Sequence, residues 1–185
     1  MIFVLAGVVG LVFGGGDQYL GSLFLLGHWT STVSGVSATW LVLPFVFGAT
    51  QARQRRAMLA GLTAVMCALA GYFVMTLSPL EGVPLSQFPS DLIHLIPSQL
   101  ANIVGGLVTA PLFGALGQRW RTERSWISAA ALAAALCLEP LARFADGQLS
   151  SPDFVWLIEI SLGTCLAAYF VCAGASYRRR LRAQP

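Results

Sequence analysis

The sequence predicts an all-α polytopic membrane bundle of six transmembrane helices, and three observations carry that expectation. The 185 residues are 56% hydrophobic and only 10% charged, whereas a soluble domain is about 25% charged. Too few polar side chains remain to coat a surface facing water. Mean hydropathy is +0.72, and the apolar residues gather in runs suited to a hydrocarbon core that takes roughly 20 residues per helix. The runs are continuous and too long for the alternating strands of a membrane barrel, which leaves helices as the spanning elements.

The first span covers residues 2–22. Its opening, "MIFVLAGVVGLVFGGG", has no basic leader and no small-residue cleavage pattern, so it reads as a retained helix rather than a signal peptide. The second span, "VSGVSATWLVLPFVFGAT", covers 33–50; the third covers 57–77 and the fourth 97–117. Pro44 and Pro111 lie inside the second and fourth, where each removes a backbone donor and kinks its helix. The fifth runs from Ser125 to Phe144 and the sixth from Phe154 to Tyr177. Residues 1–177 thus form one six-helix domain, and 178–185 a basic cytoplasmic tail. Before the fourth span, "SQFPSDLIHLIPSQL" reads as a short helix in the outer interface, capped by Ser90, with Phe88, Leu92 and Leu95 dipping inward. Trp29, Trp40, Trp120, Trp126 and Trp156 lie mainly near span ends and read as aromatic-belt anchors.

All positive charge is arginine, and its placement sets the topology. Arg53, Arg55 and Arg56 follow span two; Arg119, Arg121 and Arg124 follow span four; Arg178, Arg179, Arg180 and Arg182 follow span six. The alternate connections carry Asp17, then Glu81 and Asp91, then Asp146 and Asp153. Short arginine-rich loops stay cytoplasmic. Both termini are therefore expected in the cytoplasm of a multi-pass inner (plasma) membrane protein. Arginines at the ends of apolar runs, not along one exposed face, argue against nucleic acid as a partner.

Gly48-Ala49, Gly114-Ala115 and Gly174-Ala175 each close an even-numbered span before its arginines. The recurrence fits three tandem helical hairpins. It equally fits any short-looped bundle, which places small residues and arginines at helix exits. Small residues also recur every fourth position: Ala6, Gly10 and Gly14; Ala60, Ala64 and Ala68; Gly106, Ala110 and Gly114. Such stripes let backbones approach where lipid gives helices no hydrophobic reason to associate. They read as contacts inside one bundle, with the Ala6/Gly10/Gly14 face the candidate for a partner membrane protein.

Ionisable groups within spans are expensive and mark candidate sites. Glu139 and Arg143, four apart, share a helical face, and Pro140 between them frees a carbonyl one turn earlier. Glu159 lies about a turn and a half into span six from its outer end, and Asp17 joins them where span one extends through it. These four residues are the candidate substrate-binding set: three carboxylates and one guanidinium at similar depth in the outer leaflet, either lining an outward-facing pocket or reaching the headgroups as a structural ion pair. His28 and His94 fall in separate outer connections and read as interfacial polar contacts. Cys67, Cys137, Cys165 and Cys172 lie in apolar runs without a CxxC pair, which indicates neither a disulfide framework nor zinc. The chain has no nucleophile elbow, P-loop, zinc-protease motif or dinucleotide fingerprint, so no catalytic residue, metal or cofactor is assigned.

With the spans placed, "SGVSATWLVLPFVFGA", "AGYFVM" and "TAPLFGALGQRWRTE" carry a likeness. It is strongest at Ser34-Gly35, Trp40, Gly71-Tyr72 and Pro111 with Gly114. The chain resembles a family of small actinobacterial integral membrane proteins known only as a domain of unknown function. The resemblance implies a membrane protein and no activity, substrate or catalytic residue. Two function classes stay open: small-molecule binding or transport through an outward-facing polar pocket, and a non-catalytic accessory or scaffold subunit of a larger membrane complex. A pocket lined by the acids favours the first; a solid outer half with an exposed small-residue stripe favours the second.

Overall fold

A computed structural model of the chain describes residues 1–23, 28–34, 36–84, 88–145 and 154–182. The described residues form eight α-helices and no strand. In chain order these are α1 (Ile2–Ser22), α2 (His28–Ser34), α3 (Ala38–Ala49), α4 (Gln54–Thr76), α5 (Phe88–Ser98), α6 (Leu100–Glu123), α7 (Trp126–Ala145) and α8 (Phe154–Arg182). A single 3₁₀ turn, Pro79–Glu81, follows α4. α1, α4, α6, α7 and the Phe154–Gly174 part of α8 are long and apolar enough to cross a membrane.

The second apolar run departs from the expectation of one helix over 33–50. α2 stops at Ser34 and α3 starts afresh at Ala38. α3 has 12 residues, which at 1.5 Å per residue is about 18 Å, short of a hydrocarbon core of about 30 Å. Ser34 and Ser37 flank the break, and serine hydroxyls compete locally for backbone groups, which favours helix ends over interiors. α8 continues through the terminal arginines as far as Arg182. α5 begins at Phe88, so Ser90 stands in its first turn rather than ahead of it. Leu92 and Leu95 are half-buried as expected. The Phe88 and His28 side chains, and Asp146 and Asp153, lie outside the described residues.

Small residues set the packing. Ala6, Gly10 and Gly14 are buried on α1, and Ala60, Ala64 and Ala68 are fully buried on α4. A Cβ added at Gly10 would overlap the Ala64 carbonyl, and one at Gly14 the Ala68 carbonyl. The two stripes interlock at backbone contact. The Ala6/Gly10/Gly14 face is therefore covered by the chain's own α4 and is not open to a partner, which corrects that expectation. α3, α4 and α6 meet in the same way: Gly48 abuts Gly114, Gly114 abuts Ala57, and Gly117 abuts Phe45.

The three-hairpin arrangement holds for two of its three units. The second and third of the expected hairpins, α4–α6 and α7–α8, do pack as pairs; the first opens up, with α2 on α1 while α1 packs principally on α4 and α3 principally on α6. Two of the recurrent glycines, Gly48 and Gly114, recur because they touch each other at the α3–α6 crossing; Gly174 meets nothing within 4 Å. Around that crossing Phe45, Phe113, Trp120, Leu132 and Phe170 form a buried cluster, with Trp120 and Phe170 edge-to-face at 4.4 Å. Trp120 and Trp156 are each 6% exposed. They are core residues, whereas Trp126, 68% exposed, keeps the placement expected of a belt anchor.

Candidate functional site

The broken second run creates a helix start inside the bundle, and a helix start leaves backbone N–H groups without intrahelical acceptors. Glu139 of α7 supplies the acceptors. The Ser37 N–H donates to its Oε1 at 2.8 Å and the Ala38 N–H to its Oε2 at 2.5 Å. One turn on, Arg143 donates to the same Oε1 from Nε at 3.0 Å and Nη2 at 2.8 Å. Arg143 Nη2 also donates to Ser37 Oγ at 3.1 Å, and its guanidinium stands 5.4 Å from the centre of the Trp156 ring. The i,i+4 pair read from the sequence is thus formed, and it does a second job as the cap of α3. A carboxylate there opposes the positive end of the helix dipole. At the other end of α3, Arg121 Nη1 donates to the Ala49 and Thr50 carbonyls at 3.3 and 2.7 Å. Acid at the N-terminus and base at the C-terminus both match the dipole.

Beside this cluster lies a cavity of about 1030 Å³. Its walls come from the C-terminal parts of α1, α4 and α7 and the N-terminal parts of α3 and α6, the ends remote from Arg53–Arg56 and Arg119–Arg124. Asp17, Glu81, Glu139 and Arg143 reach it, with Trp40, Tyr72 and Asn102 between them. Trp40 is the hub of an aromatic group, edge-on to Phe13 at 5.5 Å and to Tyr72 at 6.4 Å. The Asp17 carboxyl interacts with the Trp40 indole, and Tyr72 stands within electrostatic reach of both Asp17 and Glu81. Glu81 Oε1 is buried with no hydrogen-bond partner.

Of the four residues singled out from the sequence, Asp17, Glu139 and Arg143 meet on this cavity. Glu159 does not line it. It is 4% exposed, neither carboxyl oxygen has a hydrogen-bond partner, and it interacts electrostatically with Glu139 and Arg143. His94 is exposed on α5, away from the lining. The sequence reading missed Trp40 as a wall residue, together with Tyr72, Glu81, Asn102 and the serines. A signal existed for the last: Ser31, Ser34 and Ser37 recur every third residue in an apolar run, and all three line the cavity. Asn102 carried a similar one, as an amide inside the fourth span whose Nδ2 donates to Gln99 Oε1 at 2.6 Å.

A family model described as a family of unknown function (DUF6518) matches residues 1–184. The chain belongs to this family. The match takes in every residue of the cavity wall, and the likeness to an uncharacterised family drawn from "SGVSATWLVLPFVFGA" and its companions agrees with it. No curated protein and no solved structure matches the chain. Membership of the family brings no chemistry to the site, so the geometry alone must supply it.

Proposed function

We propose that this family member is a multi-pass inner-membrane protein that binds a small polar solute, for transport, in a cavity open to the outer side. The single observation that carries the reading is the cavity itself: about 1030 Å³, of the size that takes small molecules, with acids and amides on its walls in an otherwise apolar bundle. Asp17 contacts the solute, and Arg143 stands on the same wall. Glu139 holds Arg143 and α3 in place, and Glu159 lies behind the pair, off the cavity wall. In this reading α2 and α3 together make the second of six crossings as a discontinuous helix. Broken helices at substrate sites are a recurring device of membrane transporters. Both termini lie in the cytoplasm, residues 1–177 act as one domain, and 178–185 form the basic tail. No observation favours the scaffold reading, whose expected docking stripe is buried.

Two measurements test this. Native mass spectrometry of the gently purified protein should release a bound small molecule, and Gly105→Trp, whose added Cβ meets nothing within 4 Å, should fold and lose it. A protein that carries no small molecule, or a filled variant that keeps one, refutes the cavity as the site. Single-cysteine labelling from outside the cell should modify position 82 and spare position 55; the reverse pattern inverts the topology.

A further inference from the structure

Resting on the cavity reading, we infer that the solute is a small organic cation, an ammonium or guanidinium compound, held by Asp17 and Glu81 and flanked by the rings of Trp40 and Tyr72. Two features of the cavity would suit an anion, and the chain uses both itself. The N-terminus of α3 is the first, since a helix start gathers N–H donors and positive dipole. Glu139 occupies it with both oxygens. Arg143 is the second, and it is engaged by Glu139, Ser37 and Trp156. An anionic solute would have to expel Glu139 and leave a bare carboxylate in the bundle. Glu139 already stands where an anion would bind.

The remaining charges on the wall are acidic. Asp17 and Glu81 reach the cavity, and among the described residues Arg143 is the sole cationic side chain lining it. Glu81 Oε1 is buried without a partner on a half-buried residue, and a carboxylate oxygen shielded from water is stabilised by a cation beside it. Tyr72 lies within electrostatic reach of both acids, and all three line the same cavity. The ring group Phe13–Trp40–Tyr72 selects among cations. Aromatic faces attract weakly hydrated organic cations, whereas a small metal ion holds its water.

The test uses the full-length protein in detergent at constant ionic strength. Thermal midpoints are read with tetramethylammonium, methylguanidinium or sodium chloride, sodium acetate, and glycerol. The organic cations should raise the midpoint above sodium chloride. Asp17→Asn and Glu81→Gln should each weaken the response about tenfold or more, the loss expected when one carboxylate facing a cation is neutralised. Should Asp17→Asn fail to fold, Glu81→Gln, placed in the 3₁₀ turn outside the long helices, gives the same reading. A shift by sodium alone, or an unaltered response in Glu81→Gln, overturns the cation assignment. A shift by acetate or glycerol that Gly105→Trp removes overturns the class of solute and leaves the cavity reading standing. No shift by any probe, with no bound molecule in native mass spectrometry, overturns both.

Discussion

α6 carries glycine in two settings nine residues apart. A Cβ at Gly114 would overlap the Ala57 backbone, as one at Gly48 would overlap Gly114, whereas a Cβ at Gly105 meets nothing within 4 Å. The first setting belongs to the arginine-bearing end, where α3, α4 and α6 touch backbone to backbone. The second belongs to the acidic end, where these helices meet through side chains such as Val65 and Leu69 rather than backbone and leave a cavity beside them. Hydropathy cannot explain the contrast, since both ends are made from equally apolar helices in a solvent that does not drive apolar surfaces together. Shape closes one end. Unmet polar demand keeps the other open, because Asp17, Glu81 and Asn102 would bury their polar groups at a cost if the walls met.

Substitutions at the two ends sharpen the contrast. The largest effect is expected for Gly48→Val, which forces α3 off α6: about 4 kcal/mol or more, read as loss of the monodisperse peak in size-exclusion chromatography. A folded Gly48→Val protein would show that the glycine crossing is dispensable. Next comes Glu139→Ala, which uncaps α3 and leaves Arg143 without its carboxylate; losing a partly buried, charge-assisted network of this kind costs about 2 kcal/mol, measurable by unfolding in mixed micelles. Glu159→Gln should behave differently although it sits in the same cluster. Its oxygens accept no hydrogen bond, so stability is expected within about 1 kcal/mol of the parent chain. Equal losses in the two variants would merge them into one structural unit. Arg121→Ala, at the exposed C-terminal clasp of α3, should cost less than about 1 kcal/mol. The smallest change is expected at Gly105→Ala, a gain of about 0.5 kcal/mol from helix propensity, against a severe loss for alanine at Gly114.

The long helices were legible because a run of apolar residues states its own solvent. The break before Ala38 was not, because hydropathy registers side chains and is blind to unpaired backbone N–H groups. What satisfies those groups is a carboxylate 102 residues away from Ser37, a pairing that no local pattern announces. The Glu139–Arg143 contact could be read from its spacing; its grip on α3 could not. Asp17 stood out as a charge in a span. Tyr72 and Trp40 did not, since an aromatic residue near a helix end reads equally well as a membrane anchor or as part of a cavity wall. The glycine pairs were visible as a recurrence, yet their meaning as a crossing required knowing that α1 packs on α4 and leaves α3 to α6.

The clasps at the two ends of α3 have a mechanical result. One is fastened to α6 through Arg121 and the other to α7 through Glu139. A helical rod resists stretching, so α3 ties these two neighbours together across the thickness of the protein. If α7 leans outward at the acidic end while both clasps hold, the pull reaches the arginine-bearing end as a displacement of α6, and the rod works as a tie-bar between the two ends.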